Sequence, residues 1–275
     1  MTAPDPRFLA LAIEAVLEAG RIQLAHFGGP MQVDKKGEID LVTEVDLAVE
    51  RRFRALVAER FPTHVVLGEE LQEDEGPRVP VAGHCWVFDP VDGTTNYAHG
   101  LPIFCASLGL EIDGRVEVAA VYDPTRRELF TAERGQGARL NGVPLRVSNT
   151  RAVSEALLVT GFPYDVRRAG SDILGLFGHF IARSRAVRRL GSAALDLCYV
   201  AAGRLDAYWE SRLKPWDTCA GALIVEEAGG RVTTWDGAPY QSRDLALVAS
   251  NGHLQAEMLA EIAAYQRSRS GNRTE

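Results

Sequence analysis

Cys85-Trp-Val-Phe-Asp-Pro-Val-Asp-Gly-Thr-Thr-Asn96 carries an apolar run into a turn that holds two acids, and leaves the turn through a helix start. Residues 85–88 read as a buried strand that runs straight into Asp89. Pro90 fixes φ and has no N–H to donate. Asp89 and Asp92 stand three apart around the turn, so both carboxylates and the carbonyl of Val91 can face one point. Oxygen donors of this kind suit Mg²⁺. Gly93 lets the backbone approach a ligand closely, Thr94 and Thr95 open a helix, and N–H groups at a helix start cradle phosphate. Cation ligands beside an anion cradle are what metal-assisted phosphate hydrolysis requires. Asp, Pro and Gly are also ordinary surface-turn residues. The strand before them and the helix start after them weigh against that simpler reading.

Outward from this segment, Asp5 and Pro6 look like an N-cap and first helical position. Leu9, Ile13, Val16, Leu17, Leu24 and Phe27 continue as a helical stripe that stops at Gly28-Gly29-Pro30. A second helix is predicted over 43–60, with Leu47, Phe53, Leu56 and Val57 inward, and a strand over 65–67 that ends at Gly68-Glu69-Glu70. Polar residues 72–80 read as a loop. From 104 to 147, Asp113-Gly114, Asp123-Pro124, Gly135-Gln-Gly137 and Asn141-Gly142 punctuate short β-rich runs, which predicts an antiparallel meander. Beyond 148 the pattern alternates. Strands are expected at 157–159, 187–190 and 205–209, with two more later; helices are expected at 168–183, 192–202, 216–228 and 253–266. The expectation is an α+β half over 1–148, an α/β half over 149–266, and a frayed polar tail over 267–275.

The bulk numbers exclude some functions. With 275 residues, one large domain or two fused halves are both open. A net charge of −7 argues against a nucleic-acid-coating protein, although a carboxylate-held cation can still attract phosphate. The cysteines, Cys85, Cys105, Cys198 and Cys219, have no C-x-x-C spacing and lie in apolar surroundings, as free thiols do in a reducing compartment. The first 30 residues lack a signal-peptide pattern, and no apolar run approaches the roughly 20 residues of a membrane span. A cytoplasmic protein without nucleic-acid or membrane partners is expected. No zinc spacing, P-loop or dinucleotide fingerprint is present. Arg183, Arg185, Arg188 and Arg189 read as a solvated or interface face.

Other acids stay ambiguous when judged by spacing. Glu69 and Glu70 could be solvated loop acids. Thr43-x-x-Asp46 matches a capping box, Asp217 could be the N-terminal acid of its helix, and Ser192 a plain N-cap. Glu210 could be an exposed strand-end acid.

The chain resembles the inositol monophosphatases, within the superfamily that includes fructose-1,6-bisphosphatases and bisphosphate nucleotidases. The carriers are Asp40-Leu-Val-Thr-Glu-Val-Asp46, Gly68-Glu-Glu70, Asp89-Pro-Val-Asp-Gly-Thr-Thr-Asn-Tyr97, Gly161-Phe-Pro-Tyr164, Gly191-Ser-Ala-Ala194, and Trp216-Asp-Thr-Cys-Ala-Gly221 leading into Glu226-Glu-Ala-Gly-Gly230. The resemblance runs over nearly the whole chain and implies a layered α-β-α-β-α sandwich and a homodimer. It implies a site with two or three Mg²⁺ ions, in which Glu69, Asp89 and the Val91 carbonyl match one ligand set. Asp89, Asp92 and Asp217 match a second, and Glu69 faces a third position. Gly93 and Thr94 match phosphate-binding amides, and Thr94 and Asp46 the pair near the attacking water. Gly191, Ser192, Ala193 and Glu210 match positions that contact a hydroxylated ring, and Lys36 a lysine near the metal mouth. Val91 stands where isoleucine is common, and Cys219 where alanine or a larger apolar residue is frequent; neither touches the chemistry.

The function implied is hydrolysis of inositol monophosphate, or a related sugar monophosphate, by metal-activated water that Thr94 orients with Glu69 or Asp46. No phosphoenzyme is expected, and lithium sensitivity is. Fructose-1,6-bisphosphatase, nucleotide 3′-phosphatase and histidinol phosphatase are alternatives within the fold. A non-catalytic regulatory protein is the alternative outside this chemistry.

Overall fold

The computed structural model describes residues 5–29, 33–35, 41–71, 82–163, 166–169 and 171–271. The expected loop over 72–80 lies outside them. Helix α1 (Pro6–His26) opens as predicted, with Asp5 accepting the N–H of Arg7 at 2.9 Å. Its buried face differs from the expected stripe. Phe8, Leu11, Ala12, Ala15, Val16, Ala19 and Gln23 are buried, whereas Leu17 and Leu24 are exposed. The helix comes closest to the sheet near its small residues, where a Cβ on Gly20 would stand 2.5 Å from the Tyr122 ring. The paired strands β1 (Val33–Lys35) and β2 (Leu41–Thr43) lead to α2 (Glu44–Arg60), whose first turn carries the Thr43/Asp46 capping box.

Next come β3 (Val65–Gly68), β4 (His84–Asp92), the short α3 (Thr94–Ala98), β5 (Cys105–Ile112), β6 (Arg115–Asp123), β7 (Glu128–Glu133), β8 (Gly137–Leu140) and β9 (Val143–Pro144). The strands form one seven-stranded sheet in sequential order, with β3 parallel to β4 and the rest an antiparallel meander. Asp113-Gly114 and Asn141-Gly142 all take positive φ, as tight hairpin turns need.

The second half holds β10 (Leu157–Thr160), α4 (Val166–Ala169), α5 (Ser171–Ile181), β11 (Ala186–Arg188), α6 (Ala193–Ala201), β12 (Ala207–Ser211), α7 (Pro215–Glu227), β13 (Arg231–Thr233), β14 (Ala246–Ser250) and α8 (Gln255–Gly271). Its sheet runs β11-β10-β12-β14-β13; β10 is parallel to β11 and β12, and β14 is antiparallel to β12 and β13. The last helix continues beyond the expected end at 266, where a frayed tail was predicted. Arg269 pairs with Asp172 at 2.5 Å, and about two turns earlier Glu261 meets His179 at 2.6 Å, so the helix is tied to α5.

Three apolar clusters define the layers. One joins α1 and α2 to the first sheet, the second lies around α6 and α7 between the sheets, and the third joins α5 and α8 to the second sheet. The result is the expected α-β-α-β-α sandwich. Strand β4 reads as a continuous apolar run because both its faces are covered. Trp86 and Phe88 point to α1 and α2, and Cys85 and Val87 to Cys219 on α7. This period of two sends Asp89 to the α7 side. All four cysteines are buried and free. Among the described residues no helix is long and apolar enough to cross a membrane.

The contact between β5 and α7 is tight. A Cβ on Gly109 would stand 2.4 Å from the Cys219 sulfur. Gly109→Ala should therefore lower stability by about 1–3 kcal/mol, and adding Cys219→Ala should restore part of the loss; urea denaturation of both variants checks this.

His64 yields a pH signature. The indole N–H of Trp86 can only donate, and it reaches Nδ1 of His64 at 3.1 Å, so the imidazole must accept and stay neutral. Burial first, and then the stacked His84, push its pKa down to about 4. The folded pKa lies below the unfolded one, so the contribution is full above about pH 6.5 and is lost as pH falls toward that of the folded state. The difference in urea midpoint between wild type and His64→Gln should be constant above that range and shrink through it.

Candidate active site

Glu69 leaves the end of β3, and Asp89, Val91 and Asp92 come from the end of β4. The pairing with β5 shifts between Asp89, opposite Ser107, and Asp92, opposite Cys105. A bulge there accommodates Pro90, which cannot join the ladder. The carbonyl of Pro90 accepts the side-chain N–H of Gln23 at 2.7 Å, and the N–H of Val91 donates to Asp89 at 2.9 Å. Gln23 is fully buried on α1. Sequence reasoning missed it; its signal was a polar residue on what proves to be the inward face.

Gly93 has φ of +98° and opens α3. A Cβ there would stand 2.9 Å from the Ile103 carbonyl, so glycine is required twice over. The Thr94 hydroxyl lies 2.9 Å from the Val91 carbonyl and 3.4 Å from Oδ1 of Asp46. Oδ2 of Asp46 accepts the N–H of Thr43 at 2.9 Å. Asp46 is thus both helix cap and neighbour of Thr94.

The α6 and α7 layer closes the site. Asp92 accepts from the Ser192 hydroxyl at 2.6 Å, the Ala194 N–H at 2.7 Å and the Ala193 N–H at 3.3 Å. Asp217, in the first turn of α7, accepts the N–H of Lys214 at 2.7 Å. Glu210, one residue before the end of β12, accepts the Tyr208 hydroxyl at 2.5 Å. Asn96 ties α3 to the next layer by donating to the carbonyls of Ile103 at 2.8 Å and Leu190 at 2.9 Å.

One cavity of about 250 Å³ is lined by Glu69, Asp89, Val91, Asp92, Gly93, Thr94, Gly191, Ser192, Ala193, Glu210 and Asp217. Asp46 stands behind Thr94, outside the lining. Lys36 lies outside the described residues. The lining also includes Arg189, Asp196, Arg212 and Lys214, none singled out as site residues from the sequence. Asp196 is buried, with one carboxylate oxygen unpartnered.

The acids repel one another. Burial first, then Glu69, Asp92, Asp217 and Asp46, hold Asp89 well above the usual carboxylate range. Burial raises Asp92 against the bonds from Ser192, Ala194 and Ala193, and raises Asp217 well up against the bond from Lys214. Burial also pushes Glu210 up to about 7, opposed by the Tyr208 hydroxyl and Arg189. Among the described residues no three such side chains stand close enough together to grip a metal ion. The donor set is carboxylate and carbonyl oxygen. Cys105, 3.8 Å from Asp92, is held as a thiol by burial. The set therefore fits a hard divalent cation, whose charge would relieve the repulsion.

Comparison with known proteins places the chain in a family. The inositol monophosphatase family model matches residues 6–269. Nus factor SuhB of Escherichia coli K12 is 42% identical over 256 residues, 92% of this chain and 95% of that protein. The inositol monophosphatase structure from Anabaena (Nostoc) superposes with a TM-score of 0.83 at 39% identity, covering 94% of this chain and 96% of that one. An IMPase/NADP phosphatase solved with Mg²⁺ and phosphate has a TM-score of 0.81 at 25% identity, covering 93% and 94%. The fold and the match agree over nearly the full length, and the chain belongs to the inositol monophosphatase family.

Proposed function

We propose that this chain is a Mg²⁺-dependent phosphomonoesterase that hydrolyses inositol monophosphate or a related sugar monophosphate to the alcohol and phosphate. One observation carries the reading: acids from three distant segments line the same cavity as Gly93 and Thr94. Glu69, Asp89, Asp92, Asp217 and the Val91 carbonyl would hold the cation. When bound, it would neutralise ester oxygens and acidify water. The N–H groups of Gly93 and Thr94 receive the phosphate. The Thr94 hydroxyl, placed between Val91 and Asp46, orients the water together with Glu69 or Asp46. The water oxygen bonds to phosphorus as the ester P–O bond breaks, and the proton leaves with the alcohol.

Glu210 accepts bonds from vicinal ring hydroxyls, and the backbone at Gly191, Ser192 and Ala193 frames that end of the cavity. Two or three Mg²⁺ per site, lithium sensitivity and a homodimer belong to the same reading.

A second reading, a bisphosphate substrate, draws on Arg189, Arg212 and Lys214 in the lining, since a second phosphate needs basic partners. A phosphate-release panel with Mg²⁺ separates the two. Inositol-1-phosphate should exceed fructose-1,6-bisphosphate, nucleotide bisphosphates and histidinol phosphate in kcat/KM. Release from none of them would favour a binding protein, a role that the Nus-factor name of the E. coli relative keeps in view.

Asp92→Asn keeps an acceptor for Ser192 while removing charge. It should fold normally by circular dichroism and lose about 100-fold or more in kcat at saturating Mg²⁺. Unchanged turnover would sink the assignment.

A further inference from the structure

Glu50 sits on α2 one turn beyond Asp46, and its side chain is fully buried. The chemistry above does not use it. It is absent from the cavity lining and reaches the backbone that follows β3. Its Oε2 accepts the N–H of Glu70 at 2.7 Å. Its Oε1 accepts the N–H of Leu71 at 3.2 Å and Nε of Arg54 at 2.8 Å. Arg54 also donates to the carbonyls of Val66 at 3.3 Å and Leu71 at 2.5 Å. Gly68 leaves room for the carboxylate, since a Cβ there would stand 2.1 Å from Oε1.

Glu69 is thus flanked by Gly68, packed on the Glu50 carboxylate, and by Glu70, bonded to it. We propose that Glu50 is a positioning residue for Glu69, fixing the backbone that aims the Glu69 carboxylate into the cavity. Left to itself, Glu69 beside three other acids would be driven outward by like charge. Charge-assisted bonds to consecutive N–H groups oppose that drift, because they hold the main chain rather than the side chain. Helix α2 then serves the site twice: Asp46 meets Thr94, and Glu50 one turn on fixes Glu69. The inference rests on reading Glu69 as a cation ligand.

A glutamine at 50 has one acceptor oxygen where two are needed. Its NH₂ group would face either the N–H of Glu70 or those of Leu71 and Arg54. The test is Mn²⁺ binding to the full-length protein, followed by the electron paramagnetic resonance of free Mn²⁺, in wild type, Glu50→Gln, Glu69→Gln and the double variant. Glu50→Gln should weaken Mn²⁺ binding about 10–100-fold, the range for residues that orient metal ligands. The double variant should bind no more weakly than Glu69→Gln alone. Wild-type affinity in Glu50→Gln overturns the proposal, and so does a full additional loss in the double variant, which would mark a general effect on the fold. If Glu50→Gln does not fold, Gly68→Ala replaces it in the same cycle, since its methyl displaces the carboxylate; the same two outcomes decide. Wild-type binding by Glu69→Gln would overturn the ligand reading of Glu69 and this inference with it. A loss in Glu69→Gln with none in Glu50→Gln would overturn this inference alone.

Discussion

Asp92 joins the two halves of the molecule through hydrogen bonds to one carboxylate. It belongs to β4, at the end of a strand in the first sheet, yet its oxygens accept from Ser192, Ala193 and Ala194 at the start of α6. A negative charge is favoured there because the N–H groups of a first helical turn have no partners within the helix. The alignment of α6, and with it the side of the cavity formed by residues 191–193, therefore depends on where the β4 bulge delivers this acid. The bulge is itself held from α1, through Gln23 and the Pro90 carbonyl.

The same arrangement explains how the fold tolerates clustered acids. Asp46, Asp92 and Asp217 each accept a backbone N–H at the start of a helix: α2, α6 and α7. Helix starts converge on the cavity, and each gives an acid a partner before any cation arrives. For Asp46 and Asp217 the helix-start reading therefore does not exclude a place at the cavity. Burial still raises Asp89, Asp92 and Asp217, so the protein carries electrostatic strain that a divalent cation would relieve.

Much of the fold was legible because its signals are local. The apolar run 85–88, the Asp-Gly and Asn-Gly turns and the capping box at Thr43 each depend on neighbours within a few residues. The α1 stripe held at Val16, Leu9 and Phe27 but failed at Leu17 and Leu24, because helical periodicity alone allows more than one apolar face. The choice fell to the face whose alanines let the helix lie against the sheet. Gln23 and Glu50 escaped notice for a related reason. Each acts on a backbone group far along the chain, and neither has a short-range pattern to betray it.

The sequence by itself determined the groups on offer: two carboxylates and a carbonyl in a tight turn, a glycine that lets the backbone close in, and family motifs in order. Only the tertiary structure decided which acids meet. It brought Glu69, Asp92 and Asp217 to one cavity, placed Asp46 behind Thr94, and added Arg189, Asp196, Arg212 and Lys214 to the lining. The physical reason is that a carboxylate's role depends on the charges and N–H groups around it, and here those come from elements many residues away.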